Sequence, residues 1–211
     1  MKLTDKKRKN ILDAAILEFR EQGFPAARVN RIAELAEVSK RTLYKHFESK
    51  ELLFQAITDI LLDEIAAAPK LRYAPDEPLR DQLVAAVRDY VTHLTGDHYM
   101  GLNRLVMSEL LRDQKLAQAF LTKAALQDGP ISSLIGDAMT SGALRRADPG
   151  IATGQLLSMV KHFLVWPVFL TGAKPDLDAD AVIGDCVQMF LAFYRTDDLT
   201  AETRPGPVGN P

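Results

Sequence analysis

Apolar residues recur along this chain at intervals of three and four, with no convincing run of strict alternation, so the pattern predicts an all-α protein. The first helix is expected to open at Thr4 and run to Gln22, with Ile11, Leu12, Ala15, Ile16 and Phe19 in one stripe and Gly23 as its stop. Lys6, Lys7, Arg8 and Lys9 crowd its entry. "VNRIAELA", from Val29 to Ala36, reads as a short second helix, and Glu37-Val38-Ser39 as a turn. Ser39 caps a third helix from Lys40 to about Phe47, and a longer fourth one runs from about Lys50 to Ala68. A Pro-punctuated connection leads to longer helices over about 78–95, 98–112, 113–141 with a break at Gly129-Pro130, 149–171 and 178–195. Asp148-Pro149 suits a helix start, Gly172 suits a stop, and Pro167 should kink the helix that contains it. The final "TDDLTAETRPGPVGNP" is rich in Pro and Gly and poor in apolar residues, which predicts a disordered tail over 197–211.

Composition adds little until the chain is divided. Its 211 residues, 47% apolar and 26% charged, are ordinary for a globular protein, and the net charge is −2. Residues 1–52, however, hold 12 Lys/Arg against 8 Asp/Glu, while the remainder holds 14 against 20. A basic module over 1–52 therefore precedes an acidic one over 53–196. The single cysteine, Cys186, allows no internal disulfide, and zinc-site spacing is absent, which fits a reducing, cytoplasmic setting. The charged N-terminus does not resemble a secretory signal. The most apolar run, "LLSMVKHFLVWPVFL", is 15 residues long and includes Lys161 and His162, short of the roughly 18–20 that span a bilayer. No membrane partner is expected.

The charge of the basic module is concentrated in "SKRTLYKHFESKEL", Ser39 to Leu52. On a helix, Leu43 and Phe47 share one face, which packs inward; Lys40/Tyr44, Arg41/Lys45 and Thr42/His46 fill the other columns. That surface suits the major groove of double-stranded DNA, where Lys and Arg meet phosphates or guanine edges and Thr offers a methyl to thymine. In the preceding helix, Ala33 and Ala36 permit a close crossing, Ile32, Leu35 and Val38 fill the angle, and three residues are the right length for the turn of a helix-turn-helix. An ordinary helical hairpin with a solvated cationic face would share these features.

"ILDAAILEFREQGFPAARVNRIAELAEVSKRTLYKHFESKELLFQAI" resembles the DNA-binding domain of TetR-type bacterial transcriptional regulators. The matching marks are Gly23-Phe24, Val29, Ile32-Ala33, Ala36, Val38-Ser39, Leu43-Tyr44, His46-Phe47, Ser49-Lys50-Glu51 and Leu53. The resemblance implies a three-helix, helix-turn-helix DNA-reading module carried by a helical-bundle regulatory and dimerisation domain. It implies a DNA face of Lys40, Thr42, Tyr44 and His46, with Ser39 and Lys50 holding phosphates; Arg41 and Lys45 serve either role. The chain departs from the family at Arg28, where Ser or Thr is usual, and at Glu37, where Gly is usual. Arg28 is expected to reach a phosphate instead of capping.

In the acidic half, "GLNRLVMSELLRDQKLAQAF", "SGALRRADPGIA" and "FLAFYR" resemble the regulatory domain of the AefR-like branch of the same regulators. Independently of that resemblance, the helices over 149–171 and 178–195 are too broadly apolar for one contact each. A second copy of the chain is expected to cover them in a four-helix interface through Leu156, Val160, Val182, Cys186 and Phe190. Polar-tipped or polarizable residues, namely His93, Met107, Met159, His162, Phe163 and Trp166, are the candidates for a pocket that holds a small apolar or amphipathic effector. Each taken alone is also an ordinary core or surface residue.

No Gly-x-Ser-x-Gly, His-Glu-x-x-His or phosphate-cradling loop is present, His93 and His98 do not share a helix face, and Cys186 sits on an apolar stripe. The expectation is therefore no enzyme, no cofactor and no metal. It is instead a dimeric repressor released from a palindrome-like operator by a ligand, or a DNA-binding regulator controlled by a partner protein or by nothing.

Overall fold

A computed structural model describes residues 3–66, 70–125 and 129–196. The expected tail over 197–211 and the last residues assigned to the fourth helix, 67 and 68, lie outside them. The described elements are helices: α1 (Leu3–Ala26), α2 (Val29–Leu35), α3 (Lys40–His46), α4 (Lys50–Ala66), α5 (Leu79–Leu94), α6 (Asp97–Leu110), α7 (Gln114–Ala125), α8 (Pro130–Thr140), α9 (Pro149–Leu164), α10 (Trp166–Thr171) and α11 (Ala179–Tyr194). The all-α expectation holds. The chain divides into two compact units that interleave along it, Met1–Ala68 with His93–Asp128, and Pro69–Thr92 with Gly129–Pro211.

In the first unit α1 packs on α2, α4 and α6, and α7 packs on α4 and α6. The stripe expected on α1 delivers Ile11, Leu12, Ala15 and Phe19 to a core completed by Ile32, Leu43, Leu53, Phe54 and Ile57. Phe19, Phe24 and Phe54 meet there with ring centroids 4.9–5.9 Å apart, in edge and tilted arrangements that aromatic quadrupoles favour. α1 opens at Leu3, so Thr4 lies inside its first turn. The helical path breaks at Gly23, where φ 73 and ψ 156 are open to a residue without a Cβ.

In the second unit α9 packs against α8, α10 and α11. Ile131, Leu134 and Ile135 of α8, Leu156 and Val160 of α9, and Ile183, Val187 and Phe190 of α11 make the core together with Leu83 and Val87 of α5. Asp148 starts α9 by accepting the Ile151 N–H at 2.8 Å, and Asp178 starts α11 in the same way, from Asp180 and Ala181. The expected 149–171 helix is broken at Val165, two residues before Pro167, whose missing N–H and ring cannot continue the ladder. Gly172 ends α10 in the left-handed conformation. After α8 the chain pairs Leu144 with Arg195 in an isolated bridge, and the Arg145 guanidinium lies over the rings of Phe193 and Tyr194.

Candidate nucleic-acid interface

The connection between α2 and α3 is a Schellman motif. The Val38 N–H donates to the Ala33 carbonyl and the Glu37 N–H to the Glu34 carbonyl, both at 3.0 Å, with Glu37 between them at φ 54. The chain thus places a glutamate where the left-handed conformation favours glycine, at a cost of about 1–2 kcal/mol. Ala33 and Ala36 are buried and let the two helices approach. Leu35, expected in the angle between them, instead faces outward at 39% exposure.

Ser39 then opens α3. Its Oγ accepts the Thr42 N–H at 3.1 Å and meets the Thr42 Oγ1 at 2.8 Å, so both hydroxyls are engaged in the cap. Leu43 and Phe47 turn inward, 1% and 5% exposed. Lys40, Arg41, Tyr44 and Lys45 are exposed on the opposite columns, and Thr42 and His46 are half-buried at their margin. Lys40 Nζ sits 5.9 Å from the centroid of the Tyr44 ring. The cation in the last turn of α3, Lys45, also complements the negative end of the helix dipole.

Three residues play parts that motif matching alone does not reveal. Arg28 supplies no side-chain cap to α2; its own backbone N–H, one of the donors left over at the helix start, donates at 3.0 Å to Oε1 of Glu18, a buried carboxylate on α1. The Arg28 side chain is left exposed. Lys50, expected at a phosphate, uses its ammonium within the protein, donating to the carbonyls of Phe24 at 2.7 Å, Pro25 at 3.1 Å and Ala27 at 3.3 Å. It also lies 4.7 Å over the Phe24 ring. An ammonium has three donors, and here all three close the α1–α2 corner onto the start of α4. Arg8, to which no sequence motif gives a role, places its guanidinium 5.1 Å over the ring of Phe47. Beside Lys50, the Ser49 Oγ accepts the Leu52 N–H, and the Glu51 carboxyl is held below its ordinary range, first by its own backbone N–H and then by the Ser49 hydroxyl.

The residues expected at a dimer interface need correction. Leu156, Val160, Cys186 and Phe190 all face the core of their own unit, and Val182 is half-buried against it. These helices are apolar on more than one side, and the side expected to be open is the one that packs inward. The large apolar side chains they leave open are Ile151 and Phe163 on α9, Trp166 and Leu170 on α10, and Met189 and Phe193 on α11. Burial, with Asp185 adding to it, pushes the Cys186 thiol up, so it stays protonated near neutrality.

The candidate effector residues are not gathered in the interior. His93, His162, Phe163 and Trp166 are exposed, and Met107 and Met159 are half-buried. In the second unit a cleft of about 450 Å³ has other walls, among them Tyr73, Leu79, Arg80, Gly142, Leu191 and Arg195. Among the described residues no group of three or more His, Cys, Asp or Glu side chains could hold a metal ion, and no helix is long and apolar enough to cross a membrane.

Residues 11–57 match the family model "Bacterial regulatory proteins, tetR family", and residues 81–196 match that of the AefR-like transcriptional repressor C-terminal domain. The HTH-type transcriptional regulator RutR of Escherichia coli K12 is 34% identical over 164 residues, which span 74% of this chain and 73% of RutR. Among solved structures, a TetR family transcriptional regulator from Pseudomonas syringae pv. tomato is 34% identical, with a TM-score of 0.76 over 92% of this chain and 99% of that one. The flavonoid-responsive regulator FrrA is 27% identical, with a TM-score of 0.67 over 91% and 98%.

Proposed function

Because this chain belongs to the TetR family of bacterial transcriptional regulators, a family that binds DNA rather than catalyses reactions, we propose that it is a dimeric repressor of a palindrome-like operator. One observation carries the reading. α3 buries only Leu43, with Phe47 buried just beyond its end, and presents Lys40, Arg41, Tyr44 and Lys45 on its open columns, with Thr42 and His46 at their edge. Arg28 would approach a phosphate at the start of α2, and Ser39, its oxygen committed to the cap, would offer the α3 entry. Lys50 contributes its charge while its donors brace the corner. In this division of labour residues 1–52 read DNA and residues 53–196 receive the signal and dimerise.

A second copy of the chain would seat on the apolar side chains left open along α9, α10 and α11, which supports an isologous interface through Phe163, Trp166 and Met189. Two copies of α3 about 34–36 Å apart would then meet successive major grooves. The double variant Phe163→Glu/Trp166→Glu is expected to sediment as a folded monomer and to lose operator binding. A variant that remained dimeric would send the interface elsewhere.

The effector we assign is a small amphipathic molecule, a reading supported by similarity to FrrA, a flavonoid-responsive regulator. It would act by preferring a dimer whose heads are wrongly spaced, and operator binding must then weaken effector binding by the same factor. A second reading, a regulator without a small-molecule effector, draws support from the exposure of His162, Phe163 and Trp166. Selection of bound duplexes from a random pool decides the first point: inverted half-sites are expected, and enrichment of no sequence would overturn the reading. Adding flavonoids and other amphipathic compounds to the operator complex separates the two readings by release or its absence.

A further inference from the structure

We propose that the first turns of α1 form a second contact with DNA, one that grips the phosphate backbone without reading bases. The inference rests on the DNA-binding reading of α3 and extends the footprint beyond the helix-turn-helix. Lys6, Lys7, Arg8 and Lys9 are four consecutive cations, all exposed. Lys6, Lys7 and Lys9 take part in none of the ion pairs among the described residues.

Their position runs against helix electrostatics. The N-terminal end of a helix carries the positive pole of the dipole and favours acidic side chains, so Lys6, in the first turn of α1, opposes folding, and Lys7, Arg8 and Lys9 follow directly beyond that turn. Asp5 is the acidic residue of that first turn. Exposed lysines that enter no ion pair among the described residues leave their charge available to an anion outside the helix.

Arg8 shows where this run lies. Its guanidinium is 5.1 Å over the ring of Phe47, the residue that ends α3, directly after Lys45 and His46. The basic surface therefore continues from the C-terminal end of α3 onto the first turns of α1. A helix seated in the major groove brings its flanks beside the two phosphate backbones. Lysines, as mobile point charges on long stems, suit phosphates and carry no base code. The grip strengthens binding to every sequence alike, and it makes that binding more sensitive to salt.

The test uses the full-length protein and its Lys6→Gln/Lys7→Gln/Lys9→Gln variant. Each is titrated against the selected operator and against a random duplex of equal length at several salt concentrations. The slope of log affinity against log salt is expected to become shallower by about 2–4 for the dimer, at about 0.9 for each phosphate no longer neutralised and one or two phosphates per subunit. Affinity should fall by the same factor on both duplexes, with the melting temperature unchanged or raised because cations have left the positive pole. An unchanged slope overturns the proposal, as does a loss confined to the operator or a fall in melting temperature that accounts for the weaker binding. Wild-type protein that fails to prefer the operator would instead overturn the reading of α3, whatever the slope does.

Discussion

The helices α3 and α11 are held in opposite ways. α3 has seven residues and is anchored by Leu43 and by Phe47 just beyond it; its remaining side chains are exposed or half-buried. α11 has sixteen, buries Ile183, Cys186, Val187, Phe190, Leu191 and Tyr194, and still leaves Met189 and Phe193 open. In α3 polarity and direction coincide, so a pair of apolar anchors opposite columns of cations has one orientation. In α11 apolar residues occupy more than one face, and polarity tells how much is buried without telling which side. A polar helix thus declares its orientation, whereas a broadly apolar one leaves it to its neighbours.

The strongest way to break this contrast is to remove one anchor from each helix. Phe47→Ala and Phe190→Ala are each expected to cost about 3–5 kcal/mol in chemical denaturation. If the chain is the dimer proposed above, the first should abolish operator binding and leave dimer content unchanged; the second should lower dimer content as well. Equal damage to both readouts by Phe47→Ala would erase the distinction between the helices.

Lys50→Met comes next. It keeps the aliphatic stem and removes three charge-assisted hydrogen bonds, which should cost about 2 kcal/mol of stability. A lysine serving only as a phosphate ligand would leave the melting temperature unmoved and reduce the salt slope of the dimer by about 2, one phosphate per subunit. Tyr44→Phe should leave denaturation unchanged and weaken operator affinity by about 1 kcal/mol, the size of one hydrogen bond to DNA. The smallest effect expected is a gain. Glu37→Gly relieves a left-handed glutamate and should add about 0.5–1 kcal/mol of stability after the added freedom of the unfolded chain is subtracted.

These residues also mark where sequence is readable. The period of apolar residues locates the helices nearly to their ends, as with the expected 78–95 and the observed Leu79–Leu94. The inward placement of Leu43 and Phe47 and the three-residue turn follow from spacing alone. Leu35 does not, because a seven-residue helix leaves some of its apolar positions uncovered. Glu18 carries no local signal, since it accepts the Arg28 N–H from ten residues away, and such a contact exists only once α1 and α2 are packed. Lys50 reads as a charge, and its carbonyl partners lie 23–26 residues earlier. Leu156, Val160, Cys186 and Phe190 stand on helices whose composition does not separate inside from outside. Their burial is settled by α8 and α5, which no local pattern names.

The buried thiol of Cys186 has a practical corollary. It is the sole cysteine of the chain, and its burial and raised pKa keep it silent toward thiol reagents in the native state. Glu48 is exposed two residues beyond α3, so Glu48→Cys would give each chain one reactive handle without background labelling. In the proposed dimer a spin label there would act as a molecular ruler, and the change in its reading on adding a compound would report head spacing in ångströms.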